Sequence, residues 1–157
     1  MMSTAAFVRA IDEIGPHDHA CLIYQSTEQR LASAVPYFRQ GLLKNERCVY
    51  VADEDTAEVA LENLRSHGIA TRAAVARGQL VVMPSQGAYL VDGRFDVERM
   101  VGFLDVATNQ ALADGFDALR ITGEMSWVLT GNVPIDDLLQ YEQRLNEYGR
   151  DHCTSGI

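Results

Sequence analysis

Basic charge is scarce in this sequence. Thirteen lysines and arginines stand against 22 aspartates and glutamates, a formal net charge of -9 over 157 residues. That balance repels a phosphate backbone, and no basic stripe offsets it, so direct binding to nucleic acid is not expected. Long apolar runs are missing too. None approaches the ~20 residues that cross a bilayer, and the N-terminus lacks the basic-then-apolar layout of a secretory leader, so the chain reads as cytoplasmic with no membrane contact. Cysteine is limited to Cys21, Cys48 and Cys153, an odd and widely spaced set that argues against a disulfide framework. Cys21 and Cys48 sit in strand-like runs and read as small core residues, while Cys153 lies in a polar tail. Gly87, Gly93 and Gly102 are too scattered for a dinucleotide fingerprint, and no serine occupies a G-x-S-x-G elbow.

What is present is a globular composition, 47% hydrophobic and 22% charged, enough for one domain around one core. Ser3 or Thr4 caps a first helix carrying Phe7, Val8, Ile11 and Ile14, which Gly15-Pro16 stops. The apolar run Ala20–Tyr24 reads as a first strand. A helix capped by Ser26 or Thr27 follows to about Leu43, with Pro36 expected to kink it. Arg47–Ala52 is the next strand. Asp53 to Asp55 open a helix through Val59, Leu61 and Leu64 to His67-Gly68, and Gln79–Met83 forms a third strand closed by Pro84. Ser85 to Arg94 looks like an irregular loop around the apolar pair Tyr89-Leu90. Asp96 caps a helix whose apolar face is Val97, Met100, Val101, Leu104, Ala107 and Leu112. A last helix runs from about Ile135 to Tyr148. Asp53/Glu54 and Asp136/Asp137 read as acidic helix starts. Strands alternating with helices imply an α/β fold of three layers, a mainly parallel sheet with helices on both faces.

The segment ALRITGEMSWV, Ala118 to Val128, carries the most information. Leu119 and Ile121 alternate with Arg120 and Thr122 as in a buried strand. Gly123, Glu124, Met125 and the chain's single tryptophan, Trp127, then follow with no turn between. In open α/β sheets, ligands bind at the carboxyl ends of the strands, where this sequence delivers a carboxylate, a thioether and an indole.

The strand, the helix ending in GLLKNE and the strand RCVYVADE resemble the core of RecA-like and KaiC-like ATPases, in which the first strand feeds a phosphate-binding loop. Here that junction reads YQSTEQR. It has neither the glycines that cradle phosphates nor the lysine that neutralises them, so nucleotide hydrolysis is not expected. Taken together, HDHACLIYQSTEQR, YFRQGLLKNERCVYVADE, GAYLVDGRFDVERMVGFL and GFDALRITGEMSWVL resemble the MEDS family of sensory domains, over about Gly15 to Tyr148. The motifs that carry the likeness are His19-x-Cys21-x-x-Tyr24, Gly41-Leu42 with Glu46-Arg47-Cys48, and Arg120-x-x-Gly123-Glu124-Met125-x-Trp127. The resemblance implies a non-catalytic domain of prokaryotic signalling or transcription control that senses a small hydrocarbon derivative. Family members often continue into another strand and an output module, whereas this chain stops at HCTSGI. It therefore reads as a single sensory domain, 1–157, either cut short of its output or serving a separate polypeptide.

The expected ligand site gathers Tyr24, Tyr89, Arg120, Glu124, Met125 and Trp127 at the strand ends, with His19 and Cys21 nearby. Arg120 and Glu124 either orient a polar handle on the ligand or pair with each other, and His19 or Tyr24 is the nearer partner if the first strand adjoins this one. The Ser85–Arg94 loop is the part expected to move. His17, His19 and Cys21 share a face if extended, but with no evident fourth ligand a hydrogen-bonded His19 is preferred to a metal site. No catalytic residue, metal or cofactor is assigned. The partners are a small organic ligand and a signalling protein or output module, with a homodimer open. The alternative is a protein-interaction module whose degenerate ATPase fold docks a kinase, anti-sigma factor or regulator.

Overall fold

The computed structural model of the protein describes residues 4–53, 55–91, 94–130 and 133–157. Helix α1 (Thr4–Glu13) lays Phe7 and Ile11 on the core. Helix α2 (Thr27–Leu43) starts where Ser26 Oγ accepts from Gln29 N at 3.3 Å, and it runs unbroken through the buried Pro36. Strand β1 (Arg47–Ala52) is buried almost throughout. Helix α3 (Ala57–Ser66) is capped by Thr56 rather than by the aspartates before it, and a short α4 (Thr71–Ala76) occupies the connection to β2 (Leu80–Pro84).

The stretch after β2 is more ordered than its composition suggests. One helical turn, α5 (Ser85–Ala88), leads into a small antiparallel pair, β3 (Leu90–Val91) and β4 (Arg94–Phe95); the expected turn at Asp92-Gly93 lies outside the described residues. Asp96 then caps α6 (Val97–Ala113) by accepting from Arg99 N at 2.8 Å. On α6, Met100, Leu104 and Ala111 face the core while Leu112 is 43% exposed, so the apolar face turns slightly away from the one expected. Strand β5 (Leu119–Gly123), a 3₁₀ turn (Ser126–Thr130), α7 (Ile135–Asp151) and β6 (Thr154–Gly156) complete the chain. Asp136 and Asp137 lie in the first turn of α7, as a helix start requires.

Four strands form one parallel sheet in the order β2-β1-β5-β6. Side chains alternate across β1: Cys48, Tyr50 and Ala52 pack with residues of α1 to α4, while Val49 and Val51 pack with residues of α6 and α7. The result is the three-layer, RecA-like α/β architecture.

The fourth strand is not the expected one. Residues 20–24 form no strand; the segment touches the sheet through a single parallel bridge, His19 with Gly156. The sheet edge belongs instead to the polar tail, where Leu119 N donates to Cys153 O at 2.9 Å and Ile157 N to Ile121 O at 3.1 Å.

Candidate functional site

In the order β2-β1-β5-β6 the chain leaves β1 towards one side of the sheet and β5 towards the other. The carboxyl ends of β1 and β5 are therefore the topological switch point, where such sheets place ligands. Here the crevice is filled by the protein's own polar groups. Glu124, 4% exposed, accepts from Arg30 Nη1 at 2.7 Å, from Asp53 N at 3.0 Å and from the Tyr50 hydroxyl. Arg30 reaches on to Asp55 Oδ2 at 2.5 Å. Asp53 in turn accepts from the hydroxyls of Ser85 and Ser126 and from Trp127 N at 3.0 Å.

These contacts tie α2 and the segments after β1, β2 and β5 to one another. Burial opposes the charge on Arg30, but Tyr50, Glu124 and Asp55 outweigh it and raise the guanidinium above its ordinary value. Burial, followed by Glu124, pushes the Tyr50 phenol far up, so it stays a donor. Asp53, expected to serve a helix start, is the hub of three loops, and Glu54 lies outside the described residues.

Arg30 is the residue that sequence reading missed. It ends the junction YQSTEQR and supplies a buried cation in a segment read as lacking one. The signal available is an arginine one turn into the helix that follows the apolar run Ala20–Tyr24. Its charge is shared by two carboxylates and is not displayed to solvent.

Arg120 does not meet Glu124. It lies on the opposite side of the sheet from α7, fully buried, with Nε donating to Glu46, Nη2 donating to Ile14 O at 3.0 Å and its guanidinium 4.4 Å from the Tyr37 ring centre. Gly41 is required there, because a Cβ at that position would come within 2.6 Å of Arg120 Cδ and 2.7 Å of Cys48 Sγ. Two of the family motifs, Gly41 with Glu46 and the leading arginine of Arg120-x-x-Gly123, thus meet in one buried ion pair.

Beside the switch point, at the β5–β6 edge, a cavity of about 440 Å³ opens between the sheet, the 18–24 segment and α7. His19, Cys21, Tyr24, Tyr89, Glu124 and Met125 all line it, so six of the expected site residues come together. Arg120 and Trp127 stand behind the wall. Trp127 packs against Tyr89 and Phe95, with ring centres 5.5 and 5.1 Å away, and of these three rings Tyr89 is the one that lines the cavity. Gly123 makes room for Tyr89, whose hydroxyl would lie 1.6 Å from a Cβ at that position. Leu138, Leu145 and Tyr148 of α7 complete the apolar wall.

His17 and His19 are held by hydrogen bonds. His17 Nδ1 lies 3.0 Å from Gly149 O, while His19 meets Asn146 Oδ1 at 3.3 Å and Glu142 Oε2 at 3.5 Å. Among the described residues no group of three or more histidines, cysteines or carboxylates is placed to hold a metal. Cys21 is exposed rather than a core residue, because residues 20–24 form a cavity wall instead of a strand; burial and then Glu142 raise its thiol above the ordinary value. Cys48 is buried, and burial pushes its thiol up to about 12.

Fold and site together define a RecA-like α/β domain in which ion pairs fill the switch point and a cavity adjoins it. The chain belongs to the MEDS family, the methanogen/methylotroph, DcmR sensory domain, whose profile matches residues 18–157. It is similar to the transcriptional repressor DcmR of Methylorubrum extorquens, 29% identical over 136 residues, which cover 85% of this chain and 48% of the relative. The chain spans about half the length of that curated relative. Among the described residues no helix is long and apolar enough to cross a membrane.

Proposed function

We propose that the cavity at the sheet edge binds a small organic molecule derived from a hydrocarbon, and that the domain reports its occupancy to a transcription-control output without catalysing a reaction. The observation that carries this reading is the cavity itself. Its volume of about 440 Å³ suits a small molecule, and apolar walls with a few polar groups are the usual make-up of such sites. Likeness to a transcriptional repressor supports the output. The non-catalytic reading is supported by the state of the polar groups: Arg30 and Asp53 N donate to Glu124, the Asp53 carboxylate accepts from Trp127 N, both nitrogens of His19 are engaged, and burial and Glu142 raise the Cys21 thiol above its ordinary value. In this reading the output module or signalling partner is a protein, and the domain stays in the cytoplasm.

Trp127 makes the test possible, since a molecule that displaces Tyr89 alters the surroundings of the indole. A panel of small alcohols, haloalkanes and amines, titrated against a Cys153→Ser variant, is expected to give a saturable change in tryptophan emission for at least one compound. Labelling the exposed Cys21 with a maleimide should abolish that response by filling the cavity. No response from any compound, or one indifferent to the label, would reject the proposal. Tight magnesium-dependent ATP binding would reject it as well.

A second reading has one observation in its favour. Ile23 and Leu129, which line the cavity, are 95% and 88% exposed. Such a rim fits docking of an apolar side chain from a partner protein. Under that reading the small molecules fail to bind while a partner protects Cys21 from the maleimide.

A further inference from the structure

Charge in the cavity wall is unequally distributed. Among the described lining residues Arg30 is the one arginine or lysine, and both its terminal nitrogens are occupied, Nη1 by Glu124 at 2.7 Å and Nη2 by Asp55 at 2.5 Å. Glu142 of α7 is differently placed. Its carboxylate meets His19 Nε2 at 3.5 Å, a long contact for an ion pair, and its side chain is 29% exposed at the cavity.

The field of Glu142 reaches across the site. Cys21, Tyr89 and Tyr141, all in the wall, are each held protonated, chiefly by burial and further by the Glu142 charge. Burial opposes a charge of either sign, but the Glu142 carboxylate opposes only an incoming anion and favours a cation. The rings of Tyr24, Tyr89, Tyr141 and Tyr148 also line the cavity, and aromatic faces attract positive charge.

We infer that the cavity takes a small organic cation, an alkylammonium whose apolar body fills the space and whose charged nitrogen lies against Glu142, and that it rejects anions of the same shape. The inference rests on the reading of the cavity as a small-molecule site and names the class of molecule. An alkylammonium has donors and no acceptor, so it matches a carboxylate whose contact with His19 is as long as 3.5 Å, whereas a carboxylate ligand would meet like charge with Arg30 already committed.

Three probes with one carbon skeleton test this: cyclohexylammonium, cyclohexanol and cyclohexanecarboxylate, each titrated into the protein at neutral pH and followed by ligand-observed NMR. The expected order is ammonium, then alcohol, then carboxylate, with the first two separated by about tenfold or more in Kd. Glu142→Gln should remove the preference for the ammonium over the alcohol. His19→Gln should retain or strengthen it, because the histidine competes for the same carboxylate. Equal binding of ammonium and alcohol, or a preference that survives Glu142→Gln, overturns the inference while the cavity reading stands. If none of the three binds, the inference falls, and the small-molecule reading falls with it only when the wider panel also gives no response. A melting curve for each variant distinguishes lost binding from lost fold.

Discussion

Glycine at position 41 is imposed by what lies across from it, not by the helix that carries it. Alanine would favour α2 by about 1 kcal/mol on propensity. Its methyl would also stand 2.6 Å from Arg120 Cδ and 2.7 Å from Cys48 Sγ, in a core with no room to yield. Overpacking costs about 1–3 kcal/mol, and parting a buried ion pair about 3–5 kcal/mol. Gly41→Ala should therefore destabilise the domain by roughly 2–5 kcal/mol, seen as a lower urea midpoint, and Cys48→Ala in addition should recover little because the Arg120 contact remains. An unchanged midpoint would show that Arg120 can leave Glu46 at no cost. The same residues show what was legible in the sequence and what was not. An arginine and a glutamate on one strand end suggest a pair or a ligand clamp, but strand spacing alone cannot say that Arg120 points to one face and Glu124 to the crevice. Their partners, Glu46 and Arg30, are 74 and 94 residues away, and only the folded chain brings them close.

At the scale of elements, the strongly periodic helices and the strands β1, β2 and β5 were readable because their apolar residues recur with the period of the structure they form. The sheet edge was not. Residues 20–24 are apolar enough for a strand, yet an apolar run is equally what a cavity wall needs, and Ile23 is left 95% exposed. Thr154–Gly156 carries no apolar pattern at all. Its place is fixed by hydrogen bonds: Tyr37 shares one with Ser155 Oγ at 2.9 Å, and Thr122 Oγ1 donates to Ile157 O at 2.9 Å. Ending the chain after Asp151 should strip β5 of its ladder on that side and cost on the order of 3–5 kcal/mol, at about 1 kcal/mol for each lost bond. Chemical denaturation of the shortened chain measures this directly. A midpoint equal to that of the full chain would mean that β6 merely rests on the sheet.

Across the whole molecule, acid–base behaviour is dominated by tyrosine. Of the six tyrosines in the chain, Tyr37, Tyr50, Tyr89, Tyr141 and Tyr148 are all raised above the ordinary phenol value, with burial the largest cause in each. Tyr37 and Tyr50 pack on the α1–α4 side and the other three on the α6–α7 side, so both layers of the core hold neutral phenols. In the unfolded chain these groups lose their protons near pH 10. Above that pH the folded state binds more protons than the unfolded state, so stability falls as pH rises; below it the two states bind equally and these tyrosines contribute no pH dependence. Ionisation also adds negative charge to a chain already at -9, which increases self-repulsion in the compact state. Alkaline titration should therefore show most tyrosinate absorbance appearing late and steeply, together with the loss of helical circular dichroism, rather than gradually around pH 10. Added salt should move that joint transition to higher pH by screening the repulsion. Gradual ionisation of five tyrosines with the helices intact would mean that solvent reaches both faces of the sheet, and the packing described for the two layers would have to be abandoned.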